Sequence, residues 1–434
     1  MPHPSRRALL RGLAAATAAP VRRASASVPV LRIAQWAHYV PAYDEWFDRS
    51  FARPWGERNG VTVEVEHISE VELRQRASTD VASGQGHDLF GFIAPPAAYQ
   101  AHAVPLTDVV TECERRFGKL LGLAHRGTYD PRTRQYFALA ASWAAAPLHY
   151  RADWWAAAGV RPDTWELVRE GARKIREKQG VPAGFGLAPE PDSNMALRGL
   201  LWSFGAAEQD EAGRVAINSR AAVEAVKLMA TIYREAMTPD VFMWDASSNN
   251  RMFIWGRASI IENAISAMRS MEKHNPELAR YAALAPPAAG PAARLAGAHV
   301  LSCYVVWRSS DKIELAKRFL LDLVAAGADA FRASEFYNLP TFPGAVPNLE
   351  RLVRERPAGP DGGPTDRYAV LVGADRWSSV AGHPGYATAA IDDTVQRGVI
   401  PAMFARVARG ERSAEESVRE AEAEMRRIFA RRAK

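Results

Sequence analysis

The feature that most constrains the fold is an alternation of strands and helices near the start of the chain. Residues 30–34 form a short apolar run, and residues 61–65 alternate between apolar and polar side chains, as strands do. Helical patterns cover about residues 42–58 and 70–83, and a third strand ends near residue 93. Because the links are short, this order predicts an α/β fold built on a mostly parallel sheet with helices on both faces.

Aromatic and polar side chains stand where these predicted strands end. In open α/β sheets, ligands bind beyond the carboxyl ends of the strands. The candidates at this edge are Trp36, His38 and Tyr39 after the first strand, Glu66 after the second and Phe92 after the third. Aromatic faces together with carboxylates suit a hydroxyl-rich ligand such as a sugar.

The first 26 residues are predicted to be an export signal. Residues 5–11 are similar to a twin-arginine signal, an alanine-rich stretch follows, and residues 24–26 have the pattern of a cleavage site. The segment holds five arginines and no acidic residue, so its removal takes the net charge from +6 to +1. The basic character of the whole chain therefore gives no indication of nucleic-acid binding.

The remaining composition favours a free periplasmic protein. A chain of 434 residues predicts two or three domains, and no apolar run reaches the roughly 18 residues of a membrane-spanning helix. No cysteine stands at the cleavage site, so a lipid anchor is not expected. Cys113 and Cys303 are the only cysteines, and whether they pair is left open. No cluster has metal-ligand spacing, and no metal or cofactor is predicted.

Residues 220–269 carry a more specific pattern. A helix ends before Pro239-Asp240, a second helical segment ends at Gly256, and residues 258–261 read as a buried strand that leads into Glu262 and Asn263. Pro239, Asp240, Phe253, Gly256, Ala258 and Ile260 match a pattern of the extracellular solute-binding proteins of ABC importers, the maltose-binding-like family. On these residues the segment resembles that family.

A second block extends the resemblance. Tyr150, Asp153, Gly159, Pro162, Thr164, Trp165 and Glu166 match the pattern that opens the second lobe in this family, although Arg151 stands where asparagine is common. Each motif is weak alone. Their order over some 400 residues makes the resemblance specific.

The resemblance implies a two-lobe periplasmic-binding-protein fold of type II, with discontinuous lobes and hinge crossings. The implied bounds are 27–142 and 265–335 for lobe 1, and 143–264 and 336–434, with the C-terminal helices, for lobe 2. It further implies a monomer that captures a small solute, first of all a mono- or oligosaccharide, and delivers it to the permease subunits of an ABC transporter. ATP is used by partner subunits.

The resemblance also adds candidate ligand-binding residues. They are Trp143 on the first crossing, Glu190, Asp192 and Asn194 in a loop after a predicted strand at 184–188, Glu262 and Asn263 after the strand at 258–261, and Trp377. Each has a structural reading too. Trp143 and Trp377 fit a core position equally well, and the helical context of Trp202 favours the core.

Two other functions stay open. Glu190 and Glu262 would be the carboxylate pair of a periplasmic carbohydrate-active enzyme, but the sequence has no nucleophile elbow, P-loop or dinucleotide motif. A ligand-loaded partner of a sensor or chemoreceptor is the third reading. Polyols, glycerol phosphodiesters and oligosaccharides all remain possible ligands, and the absence of Lys/Arg clusters in the predicted cleft loops disfavours a phosphate.

Overall fold

The computed structural model describes residues 28–355, 363 and 366–432. The predicted export signal at residues 1–26 lies outside them. The strands are β1 Val30–Trp36, β2 Thr62–Ile68, β3 Leu89–Phe92, β4 Tyr129–Asp130, β5 Gln135–Tyr136, β6 Leu139–Ala144, β7 Leu148–Arg151, β8 Ile260–Glu262, β9 Ala282–Ala285, β10 Ala296–Gly297, β11 Val300–Val306, β12 Leu339–Pro340 and β13 Ser378–Ser379.

The helices surround these strands. They are α1 Pro41–Trp46, α2 Arg53–Asn59, α3 Glu70–Ser83, α4 Thr107–Phe117, α5 Gly122–Thr128, α6 Ala152–Ala157, α7 Trp165–Gln179, α8 Pro191–Ser203, α9 Arg220–Ala236, α10 Ser248–Ile254, α11 Ser266–His274, α12 Pro276–Ala279, α13 Ile313–Ala325, α14 Gly327–Ala333, α15 Leu349–Arg354, α16 Ala389–Gln396, α17 Val399–Ala408 and α18 Ala414–Arg432. Short 3-10 turns cover residues 97–102, 239–242, 343–345, 367–371 and 374–376.

The larger sheet has six strands in the order β12-β6-β11-β3-β1-β2. β1 pairs in parallel with both β2 and β3, which confirms the predicted alternation. β11 runs antiparallel to β3 and β6, and β12 runs antiparallel to β6, so the complete sheet is mixed rather than mostly parallel. Of these strands, β11 enters the large sheet after the chain has passed through β9 of the small sheet.

The smaller sheet has three strands in the order β8-β7-β9, all antiparallel. Three residues, 145–147, separate β6 of the large sheet from β7 of the small one, so this link is a crossing between two lobes. β9 lies in the small sheet although the predicted bounds put it in lobe 1, and β12 lies in the large sheet although they put it in lobe 2. The exact residue bounds of the lobes stay a proposal.

Each lobe has its own apolar core. In the first, Phe47, Trp55 and Phe319 pack beneath the large sheet. In the second, Trp165, Leu200 and many other buried side chains pack between the small sheet and helices α7, α8, α9, α17 and α18. A further cluster joins residues of both sheets around the crossings. Cys113 and Cys303 are free and buried in different clusters.

Two local predictions need correction. The helix expected over 42–58 is interrupted by a π-helical turn at Phe47–Ala52, where Pro54 has no N–H to donate to the preceding turn. The strand expected over 184–188 does not form. Its backbone N–H groups bond to several partners, Gly184 to Ile260 and Leu187 to Val241, so no continuous ladder arises. Among the described residues, no helix combines the length and apolar character needed to cross a membrane.

Candidate functional site

A cavity of about 350 Å³ lies between the two lobes. The first lobe contributes the start of α3, residues 92–96 at the end of β3, and Tyr99. The second lobe contributes residues 189–191 and one face of α8. The rest of the wall consists of residues 297–299, Leu301, 379–381, Val395 and Gln396. This is the edge at which ligands bind in α/β sheets. Most of the lining side chains are apolar, and a few polar groups converge among them.

Helix α8 presents a stripe of side chains to the cavity. Asn194, Met195, Arg198 and Trp202 lie on one face at helical spacing. Glu190 is the N-cap residue just before the helix, and its carboxylate accepts hydrogen bonds from the backbone N–H groups of Asp192 and Ser193. A capped helix of this kind holds the stripe at a fixed angle to the cleft.

Glu190 is both the cap of this helix and part of the cavity wall. Burial, followed by the neighbouring charge of Asp192, raises the pKa of Glu190 to about 7, although the bonds from Ser193 and Asp192 oppose the change. A carboxyl group that titrates near neutrality therefore faces the cavity.

The two guanidinium groups that line the cavity are already paired. Arg198 is buried, and it forms an ion pair with Glu208 at 2.8 Å and donates to the Oδ1 of Asn194 at 2.8 Å. Arg74, on α3, binds the carboxylate of Asp392 on α16 through two hydrogen bonds. The second pair joins the two lobes, because α3 packs on the large sheet and α16 packs on α17 and α18.

Aromatic rings form much of the apolar wall. Phe92 stacks on Tyr99 with 5.3 Å between ring centroids and 28° between the planes. Trp202 lies 5.3 Å from the ring of His383. Both Phe92 and Trp202 are buried and contribute to the lining. Such faces suit the C–H surfaces of a sugar ring.

A hydrogen-bonded chain that runs through the lining residue His299 connects the lobes. His299 bonds through Nε2 to Asp192 at 3.2 Å and through Nδ1 to the hydroxyl of Tyr337 at 2.9 Å. Asp192 also accepts from Nδ2 of Asn263 at 2.7 Å. The chain fixes the first turn of α8, which holds Asp192, relative to the crossing segment that carries His299.

The structure brings half of the predicted site residues to the cavity or next to it. Phe92, Glu190 and Asn194 line it. Tyr39 and Asp192 lie one contact behind the lining, since Tyr39 donates to the lining residue Glu70 and Asp192 bonds to the lining residue His299. Asn263 lies one contact further back, where it donates to Asp192. Ligand contact stays a prediction for all of them.

The other six predicted residues lie away from the cavity lining. Trp36, Trp143 and Trp377 are buried in the cluster around the crossings, and the indole of Trp143 donates to the carbonyl of Pro340. His38 is buried and bonds to Asn338. Glu66, in the edge strand β2, binds Arg76 and His87. Glu262 is buried, with 2% exposure.

Sequence reasoning left out most of the lining, including Arg74, Ser379 and Trp202. The helical context of Trp202 favours a core position, which is why it was not among the candidates. The available signal was Arg198, a charged residue within the otherwise apolar run of α8. A charged side chain within an apolar helical run indicates a specific partner or a nearby cleft, and here α8 lies against the cavity.

No group of three or more His, Cys, Asp or Glu side chains that could hold a metal ion occurs in the part of the chain that the structure describes. The carboxylate pair that the sequence suggested for a carbohydrate-active enzyme, Glu190 and Glu262, does not meet at the cavity. Glu190 lines it, whereas Glu262 does not.

Comparison of the sequence with models of known protein families assigns most of the chain to one family. The family model for bacterial extracellular solute-binding proteins matches residues 38–324. A Brucella abortus (strain 2308) protein classed as a binding protein is 24% identical over 277 residues, which are 61% of this chain and 64% of that relative. The match thus spans less than two thirds of the relative's length.

Solved structures share the two-lobe architecture. A protein from Synechococcus sp. MITs9220, assigned to the oligosaccharide periplasmic-binding proteins, aligns with a TM-score of 0.77 and 21% identity over 93% of this chain and 99% of that one. The maltose-bound MalE3 of T. maritima aligns with a TM-score of 0.73 and 18% identity over 92% and 99%. At these identities the likeness concerns the fold.

Proposed function

We propose that this protein, which belongs to the bacterial extracellular solute-binding proteins, captures a mono- or oligosaccharide between its two lobes. The observation that carries the proposal is the cavity of about 350 Å³, whose wall combines side chains from both lobes. Its volume is at the lower end of the roughly 300–1,000 Å³ of small-molecule sites. This size favours a short sugar over a long chain.

Hinge closure is the proposed mechanism. The Arg74–Asp392 pair spans the cleft, so lobes that move apart must break it. A ligand that touches both walls binds the closed form more tightly, and it shifts the population toward that form by this difference in affinity. The bonds between Asp192, His299 and Tyr337 link the first turn of α8 to a crossing segment.

The proposal includes the place and the partners of the protein. Export to the periplasm by the twin-arginine route rests on the pattern of residues 1–26. The closed, loaded monomer would dock on the permease subunits of an ABC transporter and release the solute there unchanged. No catalytic step is proposed, because the carboxylate pair that the sequence suggested does not meet at the cavity: Glu190 lines it, whereas Glu262 is buried and is not part of the lining.

Thermal unfolding of the protein without residues 1–26 tests the proposal. A solute at about a hundred times its dissociation constant adds roughly 2.7 kcal/mol of stability, which raises the Tm of a chain of this size by about 2–4 °C or less. The panel contains mono- and disaccharides, polyols, glycerol phosphates and amino acids. A shift with sugars that are recovered intact supports capture, and a shift followed by sugar cleavage indicates an enzyme.

A pair of tryptophan variants locates the binding. Trp202→Ala removes a lining ring and should abolish most of the sugar-induced shift. Trp255→Ala is the matched control, since Trp255 is 60% exposed and lies outside the lining. Equal shifts in both variants would contradict a site between the lobes.

A further inference from the structure

The charges on the cavity wall are unbalanced. Glu70, Arg74, Glu190 and Arg198 all line it. Arg74 is neutralised by Asp392, and Arg198 by Glu208. Within residues 28–355, 363 and 366–432, neither Glu70 nor Glu190 has a cationic side chain as partner, so the lining carries two carboxyl groups without a counter-charge.

The two carboxylates are bonded only to neutral groups. One oxygen of Glu70 accepts from the hydroxyl of Tyr39. Glu190 accepts from backbone N–H groups and from the Ser193 hydroxyl. Neutral donors satisfy part of the hydrogen-bonding capacity of a carboxyl group but bring no positive charge. The lack of a counter-charge costs more for Glu190, which is buried, than for Glu70, which is partly exposed.

Aromatic rings provide an independent reason to expect a cation. Phe92, Tyr99 and Trp202 line the same cavity. The face of an aromatic ring attracts an ammonium group within about 6 Å of its centre, most strongly for tryptophan. Carboxylates together with aromatic faces are the combination that recognises an organic ammonium group.

Other charges near the cavity do not reverse this balance. Arg126 stands behind the wall, where it donates to the Ser379 hydroxyl at 3.4 Å, but it does not line the cavity. Asp192 also stands behind the wall, and it adds a further negative charge that is bonded to His299 and Asn263. Neither charge belongs to the lining itself.

We infer that the solute of this protein carries a protonated amine, and that the cavity selects an amino sugar over the neutral or acidic sugar of the same ring. The inference rests on the proposed function, because it names the class of sugar that the same cavity takes. Glu70 and Glu190 supply the counter-charge, and the rings of Phe92 and Trp202 cover the apolar faces of the ligand.

A matched set of sugars tests the inference by titration calorimetry at neutral pH. Glucosamine, glucose, N-acetylglucosamine and glucuronate share one ring and differ in charge. Glucosamine should bind at least about tenfold more tightly than glucose, which corresponds to one effective ion pair, and glucuronate should bind most weakly. Added salt should reduce the preference for glucosamine.

Substitution of one carboxylate separates charge from shape. Glu70→Gln should remove most of the difference between the affinities for glucosamine and for glucose, because it removes the charge of one of the two carboxyl groups and keeps its shape. Glu64→Gln is the matched control, because Glu64 is exposed on β2 and pairs with Arg32 outside the cavity. An unchanged preference in the Glu70 variant would overturn the role of its charge.

The outcomes distinguish the two proposals. If glucose and N-acetylglucosamine bind as tightly as glucosamine, the inference about charge is wrong and sugar capture stands. If glucuronate binds best, the inference is also wrong. If none of the four sugars binds, the amino-sugar inference falls, and the wider panel of disaccharides and polyols decides whether sugar capture falls with it.

Discussion

Replacing Glu262 with glutamine should change how the stability of this protein depends on pH. Glu262 ends β8, is only 2% exposed, and neither of its carboxylate oxygens has a hydrogen-bond partner among the described residues. Burial raises the pKa of Glu262 from its ordinary value of 4.5 to about 8. The folded protein therefore keeps this proton at pH values where the unfolded chain has lost it.

The direction and size of the effect follow from proton linkage. Between about pH 4.5 and 8, the folded state binds more protons at this site than the unfolded state, so the free energy of unfolding falls as pH rises. Each pKa unit corresponds to about 1.36 kcal/mol. The raised pKa thus sets an upper bound of about 5 kcal/mol on the stability lost through Glu262 above pH 8.

Urea unfolding of wild type and Glu262→Gln measures the effect. At about pH 5 the two proteins should have similar free energies of unfolding, because the carboxyl and the amide are both neutral. Toward pH 8.5 the variant should become more stable than wild type by several kcal/mol. Other titrating groups cancel in the difference. Glu64→Gln, at an exposed site, should show no such divergence, and parallel pH profiles for wild type and Glu262→Gln would refute the reasoning.

Two further predictions concern the cleft and the first core. Arg74→Ala removes the pair with Asp392 across the lobes. Because Arg74 is partly exposed, the loss of ligand-binding free energy should be about 1 kcal/mol, or roughly fivefold in ligand affinity. Solution scattering should show a larger radius of gyration, and an unchanged radius and affinity would contradict the prediction. Trp55→Phe removes the indole N–H that donates to Asp322 at 2.8 Å. This change should lower the free energy of unfolding, measured by urea titration, by about 1–3 kcal/mol. An unchanged midpoint of urea unfolding would show that this bond contributes nothing to stability.

The first half of the large sheet could be read from the sequence because its signals are local. The run at 30–34 and the alternation at 61–65 became β1 and β2, and the helix expected at 70–83 has those bounds in the structure. Periodicity and short links are properties of neighbouring residues, and they are sufficient for parallel strands. The antiparallel strands β11 and β12 depend on returns from distant parts of the chain, which no local pattern records.

The cavity was predictable only in part, for the same reason. Phe92 and Glu190 follow local rules, one at a strand end and the other at a helix start. Trp143 has equally good reasons to be in a core, and there the structure places it. Arg74 and Trp202 line the cavity because the two lobes come together, and this contact is decided by tertiary packing.

The most direct test of the central claim is a crystal structure of the protein with a bound sugar that stabilises it. The account predicts ligand density between the lobes, with the sugar against Phe92 and Trp202 and within hydrogen-bond distance of Glu190. Density on the outer surface of either lobe, with the inter-lobe cavity filled by water alone, would contradict it.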